Sequence, residues 1–485
     1  MQRVVIIGGG ISGLTAAYRL DRLAASQGLP IAITLVDTGA RFGGVIQTRK
    51  EQGCLLESGP DAFLSEKPWA LDLCRELGLE SEIIGTQPDS RRSLVVRNGK
   101  LVPIPLGWYL IAPGKLTTLL ASPIVSWQGK LRMACEPFVP RRQELSDESV
   151  GSFIRRRFGQ EALDRVGQPM IGGIYTADPD KLSLNAAMPQ LKDMEARHGS
   201  VIRALRARSR QNAGHSQAGG PRYSLFSTLR SGLGSLIDAL SGAMPRVAMR
   251  IASAVDRIEP GNEWRVVLKD GSSLLADAVC VATPAPAASG MLAPVSTVLV
   301  EQLGAIAYES AATINIAYRR LDIPHALNAF GVVVPQIEKR NLVGITFASV
   351  KFASRAPEGM VLVRAFIGGA FHRECLSQDD ERLAKLIRAE MASLLGIQAQ
   401  PQLVSISRHA QAMPVYFVGH LEQVAAIEAE AALYPGLFLT GNAYRGLGIP
   451  DCVRQANQAA QSLFAYLAQA RAAGLRGAGK STHGN

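Results

Sequence analysis

The stretch RVVIIGGGISG, residues 3–13, decides the fold. Arg3 to Ile7 is a short β-branched run suited to a buried parallel strand. Gly8, Gly10 and Gly13 follow in G-x-G-x-x-G spacing, and LTAAYRLDRLAA then has a helical pattern. Each glycine has a separate reason. The first makes the tight turn, the second lets backbone approach a pyrophosphate, and the third lets helix and strand pack closely. The N–H groups and positive dipole end of the helix face that phosphate. A second strand-like run, IAITLVD, ends at Asp37, about 20 residues on, where an acid that holds a ribose hydroxyl is expected. Strand, glycine turn, helix, strand and acid predict a Rossmann-like α/β unit that binds a dinucleotide.

The residues after the acid narrow the dinucleotide. Asp37-Thr-Gly-Ala-Arg41-Phe-Gly43-Gly44-Val45-Ile-Gln-Thr48 resembles the E-x-x-x-R-x-G-G-x-x-x-T extension of two-dinucleotide-binding-domain flavoproteins, with Asp in place of the commoner Glu. Arg41 is expected to meet phosphate, and Gly43 and Gly44 to let backbone pass close to FAD.

Composition sets bounds on the rest of the chain. Of 485 residues, 47% are hydrophobic and 19% charged, which excludes a wholly disordered or collagen-like chain. The net charge of +11 speaks to anionic partners rather than to fold. Arg203 to Arg210 is the one notable basic cluster, and it has no interleaved aromatics, so nucleic acid is not expected. The six cysteines are scattered, which reads as reduced, mostly buried thiols. The seven histidines lack metal-ligand spacing, so no metal is expected. There is no signal-peptide pattern and no 18-residue apolar run, which predicts a cytoplasmic protein without a spanning helix.

Along the chain, Pro68-WALDLCRELGLE reads as a helix and SLVVRNGKLV, residues 93–102, as a hairpin turning at Asn98-Gly99. Residues 114–215 are mainly helical in pattern, residues 203–222 read as a mobile basic surface loop, and 305–370 as an antiparallel sheet. Near the C-terminus, LFLTGNAYRGLGIPDCV repeats the arrangement of strand, glycine turn and helix. The helix start near Ile449 is expected to point its dipole at the flavin. The fold class expected is α/β and α+β: a discontinuous Rossmann-like FAD domain (1–88, 222–296 and 405–476), a substrate domain on an antiparallel or mixed sheet (89–106 and 297–404), an inserted helical domain (107–221), and a disordered tail (477–485).

Five blocks carry a more specific resemblance: Glu57-Ser-Gly-Pro-Asp-Ala-Phe63, Glu148-SVGSFIRRRFG, Pro169-MIGGIYTADPDKLSL, Phe226-STLRSGLGSLIDAL and Gly441-NAYRGLGIPDCV. Over residues 2 to about 470 the chain resembles the oxygen-dependent, FAD-containing protoporphyrinogen/coproporphyrinogen oxidase family, within the monoamine oxidase and phytoene desaturase superfamily. The resemblance implies oxidation of protoporphyrinogen IX to protoporphyrin IX in haem biosynthesis. Six electrons leave in three flavin cycles, with O2 as acceptor and H2O2 as product. Coproporphyrinogen III is the alternative substrate, and an amine oxidase or carotenoid desaturase the alternative enzyme. FAD is expected to be non-covalent, with Cys452 structural. No side-chain acid or base is assigned, because flavin N5 carries the hydride chemistry.

By resemblance, the FAD contacts are Gly8, Gly10, Ile11, Ser12, Gly13, Asp37, Arg41, Gly44, Val45, Gly59, Pro60, Asp61, Val255, Leu447, Gly448 and Ile449. The substrate contacts are Phe330, Gly331, Val333 and Phe366, with apolar side chains sandwiching the macrocycle and Gly331 letting backbone approach a pyrrole. Three positions depart from relatives: His409 for a common tryptophan, Val102 for an arginine of some plant enzymes, and Pro414-Val415-Tyr416 for Pro-Gln-Tyr. Arg91, Arg92, Arg97, Lys100 and Arg222 are candidates to meet the substrate's carboxylates. The family also implies a homodimer, contact with ferrochelatase, and peripheral attachment to an anionic membrane face; the apolar stretch 104–135 (Trp108, Tyr109, Leu110, Ile111, Leu119, Leu120, Ile124 and Trp127) reads either as that interfacial surface or as domain core.

Overall fold

A computed structural model describes residues 1–88, 92–105, 108–109, 111–113, 116–144, 146–213 and 226–480. Gln2–Ile7 forms the centre of a five-stranded parallel sheet, between Ile31–Val36 and Ala278–Val281. Ala248–Arg250 and Leu437–Leu439 complete the two edges. Strands from widely separated parts of the chain therefore make one sheet. The β-branched run Val4–Ile7 is buried on both faces, as a parallel central strand requires. The helix Ile11–Ser26 packs lengthwise against the last helix, Ile449–Lys480, and Leu14, Leu20, Val453, Ala456, Leu463 and Leu467 share one core beneath the sheet.

The second body is a seven-stranded mixed sheet. Its spatial order is Leu403–Val415, Ala307–Arg319, Met360–Gly368, Gly344–Thr346, Gly331–Val333, Ser93–Arg97 and Lys100–Pro103. All neighbours are antiparallel except Gly331–Val333 with Ser93–Arg97. The hairpin turns at Asn98 and Gly99, both at positive φ (50° and 73°), the conformation that a two-residue turn of matching twist demands. One face of this sheet is covered by the helix Asp380–Leu395, through Leu383, Ile387 and Met391. The other face looks toward the parallel sheet.

Short helices between residues 116 and 213 make the third body, around Phe153, Ile154, Phe158, Val166 and Leu191. The sequence reading of 203–222 as a loop needs correction. Residues 201–213 are helical, because Val201, Ile202, Ala204 and Leu205 bury one stripe while the arginines lie off it. Residues 214–225 lie outside those described. The last helix likewise continues through 477–480, residues expected to belong to the tail; residues 481–485 lie outside those described.

A buried ion pair organises the helical body. Arg157 and Glu136 are both fully buried, and Arg157 Nε donates to Glu136 Oε1 at 2.8 Å. Arg157 also donates to Val139 O and Gly199 O, at 3.0 and 2.8 Å. Glu136 in turn accepts from the backbone N–H groups of Val201 and Ile202, at 3.0 and 3.3 Å, and so caps the helix that begins there. Removing Arg157 strands the charge of Glu136 without water, whereas Glu195, 3.1 Å from Arg157 Nη1, keeps Arg156 as a partner. Arg157→Met is expected to cost about 3–5 kcal/mol, and the double variant Arg157→Met/Glu136→Leu to recover part of that loss. Urea unfolding followed by tryptophan fluorescence measures both.

Candidate functional site: a dinucleotide cradle backed by a sheet face

At the carboxyl ends of the parallel strands the glycines do distinct work. Gly8 has φ 105°, and a Cβ there would meet Ala282 O at 2.8 Å. A Cβ on Gly13 would lie 1.8 Å from Gly8 O, so only glycine permits this helix-to-turn contact. A Cβ on Gly10 would meet nothing within 4 Å. Gly10 thus borders open space at the mouth of the helix. That helix has no side-chain cap, so the N–H groups of Ile11 and Ser12 are offered to a phosphate.

Asp37 is held rigidly. One carboxylate oxygen accepts from Gly9 N and the other from Gly39 N, both at 2.6 Å. Each keeps a further lone pair for a ribose hydroxyl. Val255 opens the strand that follows Ala252 and Ser253, whose N–H groups donate to Gly39 O and Asp37 O at 2.8 Å. The structure therefore brings Val255 beside the acid.

Arg41 takes a role that the motif does not spell out. Nη1 donates to Phe42 O at 2.8 Å and Ile46 O at 3.0 Å, and Nη2 to Gly44 O at 2.7 Å. Its guanidinium therefore shapes the Gly43–Gly44 turn, where both glycines have positive φ (106° and 57°). That turn carries the exposed Val45 past Gly10; a Cβ on Gly44 would lie 3.5 Å from Gly10 Cα. A Cβ on Gly59 would sit 2.1 Å from Val45 O, so Gly59 and Val45 are in backbone contact.

At the far end, the helix starting at Ile449 sits beside the first one, with the Cys452 thiol against Ser12. Burial pushes that thiol up to about 12, which keeps it protonated and packed rather than reactive. The turn before this helix, with Leu447 and Gly448, is pinned by Tyr416. Its hydroxyl donates to Asn442 O at 2.5 Å and accepts from Gly446 N at 3.0 Å, while its ring stacks on His420 at 3.9 Å. Three buried hydroxyls around the cradle, on Ser58, Thr283 and Thr440, have no protein partner. Open space at Gly10, free N–H groups and unpaired hydroxyls at the strand ends fit an extended polar ligand of the FAD type.

The large sheet backs this cradle. Three adjacent strands each send one side chain to successive carbonyls of the segment Glu57-Ser58-Gly59. Asn315 Nδ2 donates to Glu57 O at 3.1 Å, His409 Nε2 meets Ser58 O at 2.8 Å, and Arg364 Nη2 donates to Gly59 O. Arg364 Nη1 also pairs with Asp61 at 3.0 Å, and Lys351 Nζ reaches the same carboxylate at 3.3 Å. Burial alone would raise the Asp61 pKa. The two cations outweigh it and bring it down to about 2. Burial lowers the Lys351 pKa, against the pull of Asp61. Burial raises the Glu57 pKa, opposed by bonds from Leu233 N and Thr48 Oγ1.

On the same face, Val333 and Phe366 flank Gly344 in one cross-strand row, and both are half-buried. Gly331 lies two residues from Val333, but its reason for being glycine is the sheet itself: a Cβ there would meet Ile345 O at 2.0 Å. Phe330 precedes it, with its N–H on Arg92 O. The guanidinium of Arg364 lies 5.2 Å from the centroid of the Phe366 ring. His409 thus stands as a strut beneath the 57–59 segment. Val102 packs partly against the helical body, on the edge strand with Lys100. Arg97 and Lys100 flank the hairpin turn, whose N–H groups go to Glu338. Arg91, Arg222 and Leu110, and the side chain of Tyr109, lie outside the described residues.

Sequence reasoning missed Arg364, Lys351, Asn315 and Tyr416. For Arg364 a signal existed: a lone cation inside the apolar strand MVLVRAFIG, where burial is tolerated only with a partner.

Comparison with known proteins adds the family. The model of the family described as flavin containing amine oxidoreductase matches residues 11–463. The chain belongs to the flavin-containing amine oxidoreductase family. FAD is its cofactor. The chain is 34% identical to the coproporphyrinogen III oxidase of Propionibacterium freudenreichii, across 95% of this chain and 90% of that one. It is 31% identical to the coproporphyrinogen III oxidase of Bacillus subtilis, across 96% and 98%. A crystal structure from Exiguobacterium sp. 255-15, assigned as a protoporphyrinogen oxidase, superposes with a TM-score of 0.84 at 28% identity, over 96% and 98% of the two chains.

Two glycines separate cofactor binding from folding. Gly10→Ala meets no atom, so the melting temperature of the apoprotein is expected to be nearly unchanged while FAD affinity falls at least about tenfold. Gly59→Ala collides with Val45 O and is expected to lower both. Differential scanning fluorimetry and flavin fluorescence titration read the two effects.

Proposed function

We propose that this chain oxidises a porphyrinogen to a porphyrin, and that coproporphyrinogen III is its substrate, with O2 as the terminal acceptor. The observation that carries the reading is the end-to-end match to two oxidases named for that substrate, at 31% and 34% identity. This reverses the preference for protoporphyrinogen IX drawn from resemblance alone.

Bound FAD supplies a two-electron acceptor, so three rounds remove the six electrons that separate a porphyrinogen from its porphyrin. The work left to the protein is positioning and exclusion of water. Phe366 and Val333 offer apolar surface on the sheet face that supports Gly59, and Phe330 immediately precedes the strand of Val333. A macrocycle laid there, puckered as the porphyrinogen and flat once oxidised to the porphyrin, would lie next to the 59–61 segment.

The test is an anaerobic half-reaction with each porphyrinogen, read as bleaching of the flavin. Coproporphyrinogen III is expected to bleach it at least about tenfold faster, or 1.4 kcal/mol in transition-state terms. Bleaching by protoporphyrinogen IX alone overturns the substrate, and bleaching by neither overturns the porphyrinogen reading.

An anionic lipid surface is the second partner in this reading. No described helix is long and apolar enough to cross a membrane. The expected interfacial surface is revised in detail: Ile111, Leu119 and Ile124 are core, whereas Leu116, Leu120, Trp127, Leu131 and Phe138 are exposed. Trp127 and Phe138 are 72% and 82% exposed, and Lys130 lies 4.8 Å from the Trp127 ring centroid. Such a pairing of aromatics with a cation suits the interface of an anionic bilayer. Flotation with vesicles containing phosphatidylglycerol is expected to carry the protein upward, and the triple variant Trp127→Ser/Leu131→Ser/Phe138→Ser to reduce the floated fraction several-fold. An unchanged fraction counts against this face.

A further inference from the structure

Beneath the Gly59–Asp61 segment the buried charges do not cancel. Lys351 and Arg364 both face the single carboxylate of Asp61. Lys351 is enclosed by the rings of Phe226 and Phe352, 5.2 and 4.9 Å away, and Arg364 is 2% exposed. The nearest further charges, Arg355 and Glu57, offset one another, and Arg355 is spent on Arg230 O, Thr228 Oγ1 and Leu229 O. One net positive charge therefore remains, mostly shielded from water, under the segment read as facing the flavin. Arg364 also keeps a buried Nε–H that has no protein partner.

We propose that Lys351, Asp61 and Arg364 act as a fixed electrostatic device that draws electrons onto the bound flavin. The proposal rests on the reading that Gly59–Asp61 lies against the cofactor. Reduction by a hydride adds two electrons and one proton, so the ring system gains one negative charge. A nearby buried cation favours that product, and low polarity keeps the attraction from being screened. Lys351 acts through the field rather than by touching the substrate, so it is a positioning residue. The stacking of Arg364 near Phe366 links the same charge to the apolar face proposed for the macrocycle.

The geometry makes an opposite-sign prediction that structural damage does not imitate. Lys351→Met takes the cluster from one net positive charge to none, and Asp61→Asn takes it to two. With FAD-loaded protein in anaerobic spectroelectrochemical titration, Lys351→Met is expected to shift the flavin equilibrium at least about tenfold toward the oxidised form, ~30 mV for a two-electron couple. Asp61→Asn is expected to shift it toward the reduced form, and Lys351→Arg to stay near the parent value. Shifts of the same sign, or no shift with FAD retained, overturn the proposal while leaving the FAD site standing. If Lys351→Met does not retain FAD, the sign of the Asp61→Asn shift alone decides. Parent protein that binds no FAD overturns the proposal through the reading on which it rests.

Discussion

Three consecutive carbonyls, those of Glu57, Ser58 and Gly59, are gripped by Asn315, His409 and Arg364 from three neighbouring strands of the large sheet. Everything near the site depends on this grip. The segment leaves the hairpin Thr48–Glu51/Cys54–Glu57, passes under Val45 and leads to Asp61. A polar backbone edge in a buried place must find donors. Here the donors come from a body formed by residues hundreds of positions away, so the cofactor cradle and the sheet face are held in one geometry. Because Asn315 and Arg364 are direct cross-strand partners, the register of that sheet is what aligns the donors with the carbonyls.

The same economy governs charge. The basic excess visible in the composition looks like a signal for an external polyanion. Much of it is spent internally. Arg41 shapes a glycine turn, Arg157 locks the helical body, and Arg355 satisfies carbonyls on another segment. The planar fork of arginine suits such multiple carbonyl contacts. Lys351, a compact point charge on a flexible stem, appears instead where one carboxylate is shared with an arginine.

The helical body shows how burial edits an apolar reading. Between residues 104 and 135 the composition alone does not say which apolar side chains face inward. Ile111, Leu119 and Ile124 close the core with Phe153 and Phe158, and the next helix leaves Trp127 and Leu131 outside. The arginines of 203–210 tell the complementary story. They read as a loop because charge dominates the composition, yet a narrow apolar stripe suffices to seat that helix.

Local rules made the nucleotide half legible from sequence. A strand, a glycine turn in which a Cβ on Gly8 or Gly13 would meet backbone at 2.8 or 1.8 Å, and an acid at the end of the next strand are each dictated by short-range sterics and hydrogen bonding. The Asn98–Gly99 hairpin was legible for the same reason. The sheet face was not. Which side chain stands under which carbonyl depends on the register of strands distant in sequence, and a one-residue slip would turn every donor away. Gly331 illustrates the limit: resemblance gives it a ligand contact, and the register adds a constraint that no local pattern shows, since a Cβ there would meet Ile345 O. Sequence by itself determined the dinucleotide cradle and the family to which it belongs. Only the tertiary structure decided that Asn315, His409, Arg364 and Lys351 meet at one segment, because long-range pairing alone brings those side chains together.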